Sequence, residues 1–138
     1  MNYHEISKST GQIGEEIATD FLRQKKYTIR ANNYKLGTIG EIDIVCEKHY
    51  GIWPFRRKMI VFVEVKTIAG YKPIDGSFLP ENHIDAHKRH KLASICKLYI
   101  SKYHPDSYWR IDVIALVIHR LTQEILYIRH YENAIIDQ

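Results

Sequence analysis

Along residues 10–26 the apolar side chains Ile13, Ile17, Ala18, Phe21 and Leu22 recur at i, i+4, i+5, i+8 and i+9, the stripe of an amphipathic helix. Ser9 or Thr10 is placed to cap it. The period then shortens. Residues 27–34 and 41–47 are β-rich runs split by KLGTIG, whose two glycines mark a turn, so they predict a hairpin. Residues 59–67 are almost continuously apolar and β-branched, which suits a central strand covered on both faces. AGYKPIDGSFLPEN, with two glycines and two prolines, reads as a loop long enough to carry function. Helical spacing returns over 83–103, where Ile84, Leu92, Ile95, Cys96, Tyr99 and Tyr103 share one face, and Pro105 ends it. Residues 109–118 and 125–131 complete the chain as two strands around HRLTQ. The predicted order is αβββαββ: an α/β fold in which one sheet takes helices on its faces. With no internal repeat, linker or low-complexity segment, residues 1–138 form one domain.

Three polar residues break this pattern. Asp43, Glu64 and Lys66 lie on segments that otherwise read as buried strands. Side chains alternate faces along a strand, so Glu64 and Lys66 project to the same side while Val63 and Val65 face the other. If the preceding strand pairs antiparallel, Asp43 comes alongside Glu64. At about 100° per residue, Glu15 falls at the edge of the first helix's buried stripe and Glu16 points further out. Gathered carboxylates need a compensating cation. Oxygen ligands of this kind suit Mg²⁺, with Mn²⁺ as a substitute, close to a phosphate, and Lys66 could orient or help deprotonate an attacking water. A lone strand acid would be read as half of a surface ion pair; the combination of VFVEVKT, GEIDIV and a glycine-bearing helix start is what points to a site.

Composition changes this picture only locally. The 138 residues are 45% hydrophobic and 26% charged, an ordinary globular balance, with a formal net charge of +4. The positive side chains are clustered: Arg56, Arg57 and Lys58 form one run, and Lys88, Arg89 and Lys91 another, as phosphate contacts would require. Cys46 and Cys96 are the only cysteines and lack C-x-x-C spacing, so they are expected as buried free thiols. The start MNYHEISKST has no apolar signal region, and no apolar run reaches the ~20 residues that cross a bilayer. A cytoplasmic protein without a membrane partner is expected. His83, His87 and His90 stand at i, i+4 and i+7, but beside Lys88, Arg89 and Lys91 they suit a phosphate-facing surface better than a zinc site. Asp112, next but one to Arg110, is expected to be paired to a basic neighbour. Nothing in the chain supports a hydrolase triad, a P-loop or a dinucleotide fingerprint.

GQIGEEIATDFL, NNYKLGTIGEIDIV and FVEVKT, then KRHKL and RIDVIAL, resemble the bacterial family of small proteins called YraN or UPF0102. That family is similar to archaeal Holliday junction resolvases and belongs with the PD-(D/E)xK, restriction-endonuclease-like nucleases. The resemblance implies a central mixed β-sheet flanked by helices and a Mg²⁺-dependent phosphodiesterase site. Asp43 matches the motif's first acid, Glu64 and Lys66 its (D/E)xK element, Glu15 the helix glutamate of the resolvase-like branch, and Lys88 a basic position of the second helix. Ile68 stands where relatives often carry an arginine, and KHYGIWPFRRKM is longer than the family's usual turn. Its Trp53, Phe55, Arg56 and Arg57 are suited to stack on unpaired bases and bind phosphates, or else to pack down as an extended hairpin tip.

The expected function is therefore a Mg²⁺-dependent endonuclease acting on branched or single-stranded DNA. Asp43 and Glu64 would bind the metal with Glu15, Lys66 would position the nucleophile, and Arg56, Arg57, Lys88, Arg89 and Lys91 would hold the backbone. A homodimer would match a two-fold junction. The alternative is a nucleic-acid-binding or recruiting module that keeps the fold without turnover.

Overall fold

The computed structural model describes residues 8–73 and 84–136. Helix α1, Thr10–Gln24, starts at Ser9, whose hydroxyl accepts from the Gln12 amide while the Gln12 side chain returns a bond to the Ser9 N–H. Strands β1 (Thr28–Leu36), β2 (Gly40–Tyr50) and β3 (Arg57–Gly70) follow as an antiparallel meander. Helix α2 (Ala86–Tyr103) carries the chain across to β4 (Tyr108–His119), which lies parallel to β3, and β5 (Ile125–Ile135) returns antiparallel. The five strands form one mixed sheet in chain order. The αβββαββ reading is correct; its strands were short by a few residues, chiefly β2, β3 and β5, and its helices long by two or three. His83, placed at the start of the second helix from sequence, lies outside the described residues.

The sheet separates two apolar layers. On one face Ala18 and Leu22 of α1 pack on Ile44, Cys46, Val61 and Val63. On the other, Leu92, Ile95, Cys96 and Tyr99 of α2 pack on Val45, Ile60 and Phe62. The free thiols Cys46 and Cys96 are both buried and sit in these opposite layers. β3 is central, which explains its unbroken apolar run.

Two features shape the sheet around the polar residues. Pairing of β2 with β3 ends at Ile44 and Val63, whereas β2 stays with β1 as far as Gly40 and β3 stays with β4 as far as Gly70. The sheet therefore forks. α1 closes over the fork because residue 14 is glycine: a methyl group there would overlap the Thr67 side chain, whose hydroxyl is buried without a partner. Among the described residues no helix is long and apolar enough to cross a membrane.

Candidate functional site

Asp43 and Glu64 sit side by side in the crotch of the fork, each 8% exposed. Their register follows from the last ladder pair, Ile44 with Val63. Asp43 Oδ2 accepts a 2.8 Å hydrogen bond from the Val65 N–H, so the carboxylate replaces the backbone acceptor that β2 no longer supplies. Burial, the neighbouring Glu64 and, more weakly, Glu15 push Asp43 up from its ordinary 3.8 to about 8. Glu15 reaches the same region from α1 and is half-buried, while Glu16 is exposed and paired to Lys8 at 2.7 Å. Burial raises Glu15 as well, against a hydrogen bond from Asn33 that favours its charged form.

Asn33 holds Glu15 because β1 twists there. Its φ of 52° is left-handed, a conformation asparagine tolerates better than most residues. The strand's alternation is reset across it: Asn32 bonds Thr19 of α1 at 3.0 Å, while Tyr34 meets Tyr99 of α2 edge to face. Sequence reasoning missed Asn33. Glu41, two residues before Asp43, was also missed, although GEID spells the alternation that puts both acids on the cleft.

The fork opens into a cleft of about 550 Å³. Glu15, Glu41, Asp43 and Glu64 line its acidic side, and Asp85, His87, Lys88 and Lys91 come from the start of α2. Asp85 caps that helix by accepting from the Lys88 N–H at 2.8 Å. The Lys88 ammonium lies 2.8 Å from Glu64 Oε1, and that bond keeps Lys88 above its ordinary pKa. Lys66 follows Glu64 on the same face of β3 and is half-buried, but the cation in contact with Glu64 is Lys88. Arg89, though next in sequence, lies outside the residues that line the cleft.

Arg56 and Arg57 are elsewhere. They are exposed at the tip of the β2–β3 hairpin, about 24 Å along β2 from Asp43 at roughly 3.4 Å per residue. Trp53 and Phe55 beside them are 84% and 81% exposed, so the tip is not packed down. Asp112, expected from sequence to pair with a basic neighbour, is fully buried in a network of its own. Its Oδ1 accepts from Arg110 Nε at 2.9 Å and from the Asn133 N–H at 2.8 Å, and its Oδ2 from His130 Nε2 at 2.8 Å. His130 Nδ1 then accepts from Lys25 Nζ at 2.8 Å. Every ring nitrogen and carboxylate oxygen is used, which is the signature of a structural tie between α1, β4 and β5.

The donor set suits a hard divalent cation: Asp43 and Glu64 are carboxylates, and Mg²⁺ takes one or two such ligands together with water and phosphate oxygens. Among the described residues no three His, Cys, Asp or Glu side chains converge as a fully formed metal cage would. A family model described as "Uncharacterised protein family UPF0102" matches residues 14–116, from Gly14 at the fork through Glu64 to β4. The chain belongs to the UPF0102 family. A UPF0102 protein of Clostridium botulinum (strain Loch Maree) is 36% identical over 120 residues, covering 86% of this chain and 87% of the relative. A UPF0102 protein of Caldanaerobacter subterraneus is 32% identical over 128 residues, 92% of this chain and 94% of its own. The matched span of this UPF0102 chain contains the fork, the cleft and the start of α2, and the hairpin tip as well.

Proposed function

We propose that this UPF0102 protein is a divalent-metal-dependent endonuclease that cuts DNA, with branched or single-stranded structures as its substrates. The observation that carries the reading is the buried Asp43 and Glu64 pair at an open cleft, where Asp43 is pushed up to about 8 by burial and by Glu64. Of the two, Glu64 has only the half-exposed Lys88 as a counter-charge and Asp43 has no cationic partner among the described residues, so a bound cation is the compensation the pair lacks.

Asp43 and Glu64 would hold Mg²⁺ or Mn²⁺, and Glu15 would support it directly or through water. Such an ion supplies charge stabilisation at phosphorus and a more acidic water. The chain's own residues do the rest. The Val65 N–H fixes the rotamer of Asp43; Lys88 and Lys91 offer ammonium groups to the phosphodiester across the cleft; Lys66 is assigned to orient the attacking water along β3. Arg56 and Arg57 would grip nucleic acid at a distance from the cut. Phosphate contacts of this kind fix position without reading bases, so recognition of shape is expected. A cytoplasmic site of action and a dimer matched to two-fold junctions belong to the same proposal.

One observation favours a second reading. Glu64 already has a partner in Lys88 at 2.8 Å, as it would in a binding module without turnover. The test incubates labelled single-stranded, duplex and four-way DNA with the protein in Mg²⁺ or Mn²⁺, alongside Asp43→Ala and Lys66→Ala. Metal-dependent cutting lost in both variants supports the nuclease; binding that both variants retain, without cutting, supports the module.

A further inference from the structure

We infer that Lys88 is a resident counter-ion of the cleft that hands Glu64 over to the metal only when a nucleic-acid phosphate draws the ammonium away. The inference rests on the nuclease reading and concerns how that site is loaded.

The geometry is asymmetric. Glu64 is fixed in the central strand with its side chain 10% exposed, while Lys88 reaches it from the rim of the cleft with its side chain 54% exposed. The flexible, solvent-facing partner is the lysine. Its Nζ, 2.8 Å from Glu64 Oε1, stands where a divalent ion bound to that oxygen at about 2.1 Å would crowd it, and two cations on one carboxylate oxygen repel. Metal binding through that oxygen in the absence of substrate therefore breaks the Lys88–Glu64 bond with no phosphate to receive the ammonium.

A phosphodiester supplies that partner. Lys91, one turn further along α2, lines the same cleft, so a phosphate entering between them meets two ammonium groups on one helix face. As Lys88 turns to the phosphate, Glu64 is left beside Asp43 without a counter-charge, and the site then favours the divalent ion. DNA and metal binding become mutually reinforcing, and linkage requires the enhancement to be equal in both directions. The chemical function is restraint: Glu64 stays paired with the protein's own lysine until there is a phosphodiester to act on.

The test measures Mn²⁺ affinity by the electron paramagnetic resonance signal of the free ion. Wild type, Lys88→Met and Lys88→Arg are compared with and without a phosphorothioate-linked single strand that resists cutting, after thermal melts confirm that each variant is folded. Without DNA, Lys88→Met should bind Mn²⁺ about tenfold tighter than wild type, a coupling of ordinary size. Adding DNA should tighten wild type and Lys88→Arg by about tenfold and Lys88→Met by less than about twofold. Equal Mn²⁺ affinity of wild type and Lys88→Met without DNA would overturn the inference, as would equal enhancement by DNA. If Mn²⁺-dependent cutting persists in either case, the nuclease reading survives and only the role of Lys88 falls. Failure of every protein to bind Mn²⁺, with DNA or without, sinks both.

Discussion

The Val65 N–H donates to Asp43 Oδ2 at 2.8 Å, just beyond the last pair of the β2–β3 ladder, Ile44 with Val63. A side chain thus finishes what the backbone leaves open. The same carboxylate that staples the fork has its protonation strongly displaced by its surroundings, and this ties the fold to pH.

Asp43 titrates near 8 in the folded chain against 3.8 ordinarily, chiefly through burial and Glu64. Between about pH 4 and pH 8 the folded state therefore holds a proton that the unfolded state has lost, and stability falls as pH rises through that window. Above about 8 the dependence ends. Thermal melts of the metal-free protein should show a falling midpoint from pH 5 to pH 8, and Asp43→Asn, which cannot ionise, should flatten the slope. An unchanged slope in Asp43→Asn would assign the dependence to other groups.

Gly14 brings α1 against Thr67 with no room for a methyl group. Gly14→Ala should destabilise the fold by about 1–3 kcal/mol, the usual range for overpacking, despite alanine's better helix propensity. Urea denaturation measures this. The displaced helix carries Glu15 with it, so a Gly14→Ala protein that is still folded should also show weaker metal binding.

Asp112 separates structure from chemistry. It neutralises Arg110, whose side chain is 11% exposed, and positions His130, whose side chain is 3% exposed. Asp112→Ala leaves Arg110, among the described residues, only the exposed Glu132 carboxylate, 3.7 Å away, and should cost about 3–5 kcal/mol, as removal of one partner from a buried pair does. Asp112→Asn keeps the shape and part of the bonding and should cost less. In whichever variant remains folded, Mn²⁺ affinity should match wild type, because the network lies apart from the cleft.

The helices, the order of elements along the chain and the burial of Glu64 were legible because each rests on a short-range period: Ile13 to Leu22 on a helical stripe, Val61 to Val65 on a central strand. Glu15 over Glu16 was legible for the same reason, and the structure leaves Glu16 in solvent beside Lys8. What could not be read was whatever depends on a break in periodicity or on groups distant in sequence. The left-handed Asn33 resets one strand without leaving a distinctive motif. The tie from Asp112 through His130 to Lys25 joins three elements whose approach no local pattern announces. Glu47 is similar: it is 2% exposed and bridged by Arg30 at 2.8 Å, a pairing set by the β1–β2 register. Lys88 was read as a phosphate ligand from its helix. Its bond to Glu64 follows from how α2 lies over the fork, which the sequence does not encode locally.

The hairpin tip gives the last prediction. Ile52, Trp53 and Phe55 are all more than 80% exposed, and Arg56, Arg57 and Lys58 follow them with no acid between Tyr50 and Lys58. Side chains with so little to pack against contribute little to folding, so Trp53→Ala and Phe55→Ala should each change stability by less than about 0.5 kcal/mol. If the tip stacks on unpaired bases, each should weaken single-strand binding by about 1–3 kcal/mol, while Arg56→Ala and Arg57→Ala should lower the salt dependence of binding. The tip stands about 24 Å along β2 from Asp43 at the ordinary strand rise, so the loss should appear only for DNA long enough to span both. Fluorescence anisotropy with a series of strand lengths reads this directly. A uniform loss at every length would place the contact beside the cleft, and no loss at any length would remove the tip from nucleic-acid binding.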